Sequence, residues 1–178
     1  EYGFSCMGYE LAGGMGVKMA RPERDIVVVV GDGSYLMLNS ELATSVMLGH
    51  KLTVVVLDNR GFGCINRLQH ATGGAGFNNL LKDCRTVAEG APKVDFAAHA
   101  RALGCQAEQV TGIGELGAAL ERARTSSTTY VIALDTDPLP STQEGGHWWE
   151  VAIPEVSERT EVRDAYQGYL SHKRQQAR

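Results

Sequence analysis

Three six-residue stretches, Asp25–Val30, Leu52–Leu57 and Tyr130–Asp135, are dominated by aliphatic residues that do not alternate with polar ones. That pattern predicts strands buried on both faces of a parallel sheet. Between them the period changes. In residues 39–50 (NSELATSVMLGH), Leu42, Ala43, Val46 and Met47 recur at helical spacing. Val94–Leu103 reads as a helix with Asp95 as N-cap and Gly104 as its stop, and Gly112–Arg124 as another. Ala107–Val110 is a short strand. Residues 6–20 (CMGYELAGGMGVKMA) predict a helix whose small side chains let a neighbouring backbone come close, before Arg21-Pro22 breaks it. Residues 71–92 have no period and are expected to form a long loop, with a short helix around Leu80-Leu81.

This alternation predicts an α/β, doubly wound, mostly parallel sheet with helices on both faces. Ligands in such folds sit beyond the carboxyl ends of the strands. The main domain is expected over residues 1–155, followed by a polar helical tail over 156–178.

Chemistry concentrates at that edge. Asp32, flanked by Gly31 and Gly33 and followed by Ser34, closes the first strand. A carboxylate there, with Gly33 free to adopt positive φ, unencumbered amides and a following helix N-terminus, suits a diphosphate carried by a hard divalent cation. Twenty-four residues separate Gly33 from Asp58-Asn59. One helix and one strand occupy that interval, so the chain returns to the same edge. Asn59 and the carbonyl of Gly61 can then join Asp32 around Mg2+, which prefers six oxygens in an octahedron. A dinucleotide-binding loop fits less well, because Leu36 stands where the third glycine of that fingerprint belongs.

The run GDG, its spacing to DNRGFG, the ELAT between them and the upstream CMGYE together resemble the thiamine-diphosphate enzymes. The resemblance implies that this is their C-terminal domain, with Asp32, Asn59 and Gly61 as Mg2+ ligands. It also implies that Gly31, Gly33 and Ser34 lie against the diphosphate and that Met7 wedges under the bent cofactor. The runs EYGFSCMGYE, GDGSYLMLNSELATSVMLG, LDNRGFGCINRLQ, VDFAAHARALG and EGGHWWEVAIPEVS are similar to the branch that hydrolyses a ring C–C bond of a cyclic polyol diketone in inositol catabolism. Glu10-Leu11-Ala12, where many decarboxylases and acetolactate synthases have Gly-Leu-Pro, favours that branch. A carboligase, a 2-keto acid decarboxylase or an inactive fragment are the alternatives. The family's activating glutamate belongs to a pyrimidine-binding domain of a neighbouring subunit. Nothing in this chain matches it, so a homo-oligomer is implied and the isolated chain is expected to be inactive.

Three weaker candidates could face the substrate: Glu10, and His147 and Trp148 in the glycine-hinged EGGHWWE segment. Arg60 and Asn66 lie near the expected metal turn. Cys64 reads better as a small buried hydrophobe, and His99 as packed or solvated rather than catalytic. The remaining numbers mostly exclude. A net charge of -4 argues against nucleic acid as a partner. The apolar runs are too short to span a membrane. Cys6, Cys64, Cys84 and Cys105 form no C-x-x-C pair, which points to a reducing cytoplasm rather than to zinc or disulfides. The chain opens on Glu1-Tyr2-Gly3-Phe4 with no initiator Met, and is expected to be a fragment of a larger enzyme.

Overall fold

A computed structural model describes residues 6–84, 93–140 and 153–176. The chain forms two compact units, one from residues 1–61 and 93–137, the other from 62–92 and 138–178.

The first unit is the predicted sheet. Strands β1 (Val27–Gly31), β2 (Thr53–Asp58), β3 (Gln106–Val110) and β4 (Tyr130–Asp135) are all parallel, in the order β1-β2-β4-β3. Helices α1 (Tyr9–Ala20), α3 (Glu41–Leu48) and α5 (Phe96–Ala102) contribute to a core on one face. There Leu11, Leu42, Phe96 and Ala100 meet Val28, Val30, Val54, Val56, Val131 and Ala133. Burying each large aliphatic side chain of this kind contributes about 1.5–3 kcal/mol. On the other face α6 (Ile113–Thr125) packs Ala119 and Ala123 against Val110, Tyr130 and Ile132. The doubly wound expectation holds.

Local signals account for some boundaries. Asp95 caps α5 by accepting a hydrogen bond from the Ala98 amide at 2.8 Å. Gly14 is where α1 meets β1: a Cβ placed there would lie 2.4 Å from Val28 Cγ2. Inside, Thr129 Oγ1 accepts from the Leu52 amide and shares a 2.8 Å bond with Ser45 Oγ, so the entry to β2 is satisfied without water.

Two expectations change. β1 is not buried on both faces, because Val27 and Val29 are 56% and 58% exposed. β1 is an edge strand and α6 covers the sheet farther across, over β2, β3 and β4. Gly33, expected at positive φ, instead lies inside a helix that begins at Asp32 itself: α2 (Asp32–Met37) precedes α3.

In the second unit α4 (Gly63–Ala71) occupies a stretch without a strong apolar signal, and a single 3-10 turn spans Leu81–Asp83. The Phe62 amide donates to Asn79 O at 2.7 Å, and Arg67 Nη1 to Pro138 O at 3.1 Å. Helix α7 (Thr160–Gln176) begins beside Gly73, where a Cβ would fall 2.3 Å from the Glu161 carbonyl oxygen. Arg159 Nε donates to Gly73 O at 3.2 Å. Among the described residues no helix is long and apolar enough to cross a membrane.

Candidate metal and cofactor site

The sheet register assembles the site. Gly31 pairs with Leu57 and Asp58 with Asp135, so the residues just beyond β1, β2 and β4 emerge side by side. Asp32 follows Gly31 and Asn59 follows Asp58. Residues 27 positions apart in sequence thereby become neighbours.

Asp32 is 5% exposed. Its Oδ2 accepts from the Gly61 amide at 2.7 Å and its Oδ1 from the Asn59 amide at 3.3 Å. The turn that presents those amides is held on all sides. Asp58, also buried, accepts from the Arg60 amide at 2.9 Å, and its carbonyl accepts from the Thr136 amide at 2.8 Å. Arg60 Nη2 donates to Thr136 O at 3.2 Å. Arg60 sits at φ 60 and Gly61 at φ 146, conformations that an L side chain adopts at a cost of about 1–3 kcal/mol. Such strain, clamped from the end of β4, persists only where the surroundings over-determine it.

The Asn59 side chain completes the picture. Its terminal amide faces Asp32 Oδ1 at 3.3 Å and the Gly61 carbonyl oxygen at 2.8 Å, two acceptors. With nitrogen inward, it donates to both. With oxygen inward, three oxygens converge, an arrangement that a cation stabilises and that protein donors here do not.

Charge points the same way. Burial, the largest influence, raises the Asp32 carboxyl above the usual carboxylate range, and the nearby Asp58 charge adds to it; the Gly61 and Asn59 amides pull it back. Neither Asp32 nor Asp58 forms an ion pair with Lys, Arg or His among the described residues. Two buried carboxylates held only by neutral donors are costly, and a divalent ion would offset that cost. The donor set of carboxylate, amide oxygen and carbonyl oxygen is the hard-oxygen kind that Mg2+ accepts. Among the described residues no group of three His, Cys, Asp or Glu could hold a metal; only one of these three donors is of that kind.

The other sequence candidates spread out. Gly31 has open space where a Cβ would stand and caps α2 without a side-chain bond, while Gly33 and Ser34 are buried in its first turn. Met7 precedes α1 and is 38% exposed. Glu10 lies in the first turn of α1; its Oε2 is shielded from solvent without a hydrogen-bond partner, and no bond joins it to Asp32, Asn59 or Gly61 among the described residues. Asn66 is buried in α4 of the second unit with its Oδ1 unpartnered. His147 and Trp148 fall outside the described residues. His99 is half-buried and hydrogen-bonded to Tyr35. Cys64 is exposed rather than buried, on the outward side of α4. Sequence reasoning missed Thr136, whose backbone closes the turn; no pattern marks it, because its role uses no side chain.

The chain belongs to the thiamine pyrophosphate enzymes: residues 1–134 match "Thiamine pyrophosphate enzyme, C-terminal TPP binding domain". It is 41% identical over 178 residues to 3D-(3,5/4)-trihydroxycyclohexane-1,2-dione hydrolase 2 of Bacillus cereus, covering 97% of this chain and 27% of that protein. To the trihydroxycyclohexanedione hydrolase of Bacillus anthracis it is 42% identical over 181 residues, covering 98% and 28%. The chain thus spans under a third of the length of these relatives. Among solved structures, the Rhodococcus jostii RHA1 thiamine diphosphate-dependent 4-hydroxybenzoylformate decarboxylase superposes with a TM-score of 0.64 at 19% identity, over 74% of this chain and 23% of that one. That likeness speaks to fold alone.

Proposed function

We propose that this domain holds the diphosphate of thiamine diphosphate through Mg2+, as part of an enzyme that hydrolyses a C–C bond of a cyclic polyol diketone. The reading takes its substrate class from the trihydroxycyclohexanedione hydrolases, which match nearly the whole chain at 41–42% identity. It places the enzyme in inositol catabolism, giving 5-deoxy-glucuronate. The observation that carries the cofactor assignment is the convergence of Asp32, Asn59 and the Gly61 carbonyl, where the buried Asp32 and Asp58 have no cationic partner among the described residues.

In this reading the Asp32 carboxylate, the Asn59 amide oxygen and the Gly61 carbonyl hold the ion. The Gly31–Ser34 segment lies against the diphosphate, where Gly31 leaves room and the first amides of α2 are uncapped. Met7 would support the cofactor's ring system. When bound, thiamine diphosphate supplies a nucleophilic carbon for cleaving a bond next to a carbonyl. Glu10, with its shielded and unpartnered oxygen, and His147 and Trp148 are assigned to the substrate side. The activating glutamate comes from the pyrimidine-binding domain of a neighbouring subunit in a homo-oligomer.

Calorimetric titration of thiamine diphosphate into the chain, with Mg2+ and with EDTA, tests the assignment. Binding that needs both Mg2+ and Asp32 supports it. Binding indifferent to Asp32→Ala would overturn the metal ligand set. A folded chain that binds only after the pyrimidine domain is supplied would place part of the affinity on that domain.

A further inference from the structure

We infer that the hydrogen bond between Tyr35 and His99 sets the aim of Asp32, which makes Tyr35 and His99 positioning residues for the cation site; the inference rests on the reading of that site given above.

Helix α2 has six residues, fewer than two turns, and so short a helix has little stability of its own. No side chain caps its N-terminus. Its orientation therefore depends on what its side chains grip. Tyr35 provides the grip. It has no exposed surface. Its ring meets Phe96 edge-on, with centroids 5.3 Å apart and planes at 88°, and meets His99 at 5.6 Å and 73°. Its hydroxyl lies 2.9 Å from His99 Nδ1. Phe96 and His99 both belong to α5, which is itself packed on β3 and β4.

Asp32 and Tyr35 are three residues apart, so their side chains leave the helix within about 60° of each other. A rotation of α2 that loosened Tyr35 would swing Asp32 away from the Gly61 amide, 2.7 Å from its Oδ2. A phenylalanine would fill the same space with no hydroxyl to desolvate. The hydroxyl adds direction: it ties one rotation of α2 to one atom of α5. Burial holds this hydroxyl well above the ordinary tyrosine range, so it stays protonated and available as the donor. Through this bond α5, packed on β3 and β4, steadies a carboxylate at the end of β1.

Amide hydrogen exchange, followed residue by residue by NMR on the full chain, tests this without any ligand. Tyr35→Phe and His99→Leu are each expected to speed exchange at Gly61 by about fivefold, the ratio that corresponds to one lost hydrogen bond. Amides in the middle of β2 and β4, such as Val55 and Ile132, are expected to stay unchanged. His99→Asn, which keeps an acceptor near the position of Nδ1, is expected to retain slow exchange at Gly61. Unchanged exchange at Gly61 would overturn the inference. So would a uniform acceleration throughout the sheet, which marks a general loss of stability. Fast exchange in His99→Asn would assign the effect to ring packing and remove the bond's role. If Tyr35→Phe does not fold, the two His99 variants decide. Titration of thiamine diphosphate with Mg2+ into the same proteins should weaken in step with Gly61 exchange. If the unsubstituted chain and Asp32→Ala respond alike to that titration, the cation site falls, while the exchange data still decide the positioning.

Discussion

Asp32 and Glu108 both belong to the sheet unit and both accept several hydrogen bonds, yet their surroundings push them in opposite directions. Glu108 is met by Arg122 through Nε at 2.9 Å and Nη2 at 2.6 Å, and by the Tyr130 hydroxyl at 2.6 Å. The Arg122 bond, the largest influence, lowers its carboxyl below the ordinary glutamate value. Asp32 has amides and no guanidinium, and burial raises it. Glu108 is thus complete as the protein stands. Asp32 carries charge that no cationic side chain among the described residues compensates. A carboxylate finished by its own chain ties elements together; one left unfinished at a strand end is a place for something else to bind.

The contrast can be broken most sharply at Asp32. Asp32→Ala is expected to lower Mg2+-dependent affinity for thiamine diphosphate by at least about 100-fold, beyond what losing a supporting group costs. Glu108→Ala should leave that affinity unchanged by calorimetry. Equal losses in the two variants would erase the distinction. Gly61→Ala should cost about 1–3 kcal/mol in urea unfolding, because φ 146 suits no Cβ, and should also weaken the Mg2+ response by moving an amide and a carbonyl together.

Gly14→Ala sharpens the comparison from the other side. Its new Cβ would press on Val28 Cγ2, and overpacking of this kind costs about 1–3 kcal/mol. Stability should fall while the Mg2+ response of the folded protein persists, separating damage to the frame from damage to the site. The smallest effect belongs to Glu108→Gln. The folded carboxyl of Glu108 sits below its unfolded value of 4.5, so its contribution is present above pH 4.5 and is lost as pH falls through the lower folded value. Arg122 is half exposed, so solvent screening keeps this contribution small. Denaturation midpoints measured from pH 6 down to about pH 3 should flatten on the acid side in the variant.

Much of the site was legible in the chain alone. Asp32, Asn59 and Gly61 were marked by type and spacing, because two neighbouring parallel strands joined by a helical crossover return the chain to one sheet edge. The contacts that tension the site were not, although Arg60 itself was marked as lying near the turn. Arg60 in the left-handed region is unusual for its type, and the Thr136 carbonyl that holds its guanidinium lies 76 residues away. The Tyr35–His99 bond joins positions 64 residues apart with no shared motif. α2 was hidden because its six residues are too few for a helical period to register. β1 misled because a run of valines looks the same whether one face or two is covered.

The sequence by itself determined the strands, the parallel α/β class, the capped helix at Asp95 and the oxygen-bearing residue types of the candidate site. These follow from periods, propensities and short-range hydrogen bonding, which neighbouring residues decide among themselves. Tertiary structure alone decided that Asp32 is buried with no cationic partner among the described residues, that the Asn59 amide faces two acceptors, and that an edge strand leaves Val27 and Val29 uncovered. Desolvation and charge compensation depend on which distant segments come to lie within a few ångströms, and only the packed sheet brings those segments together.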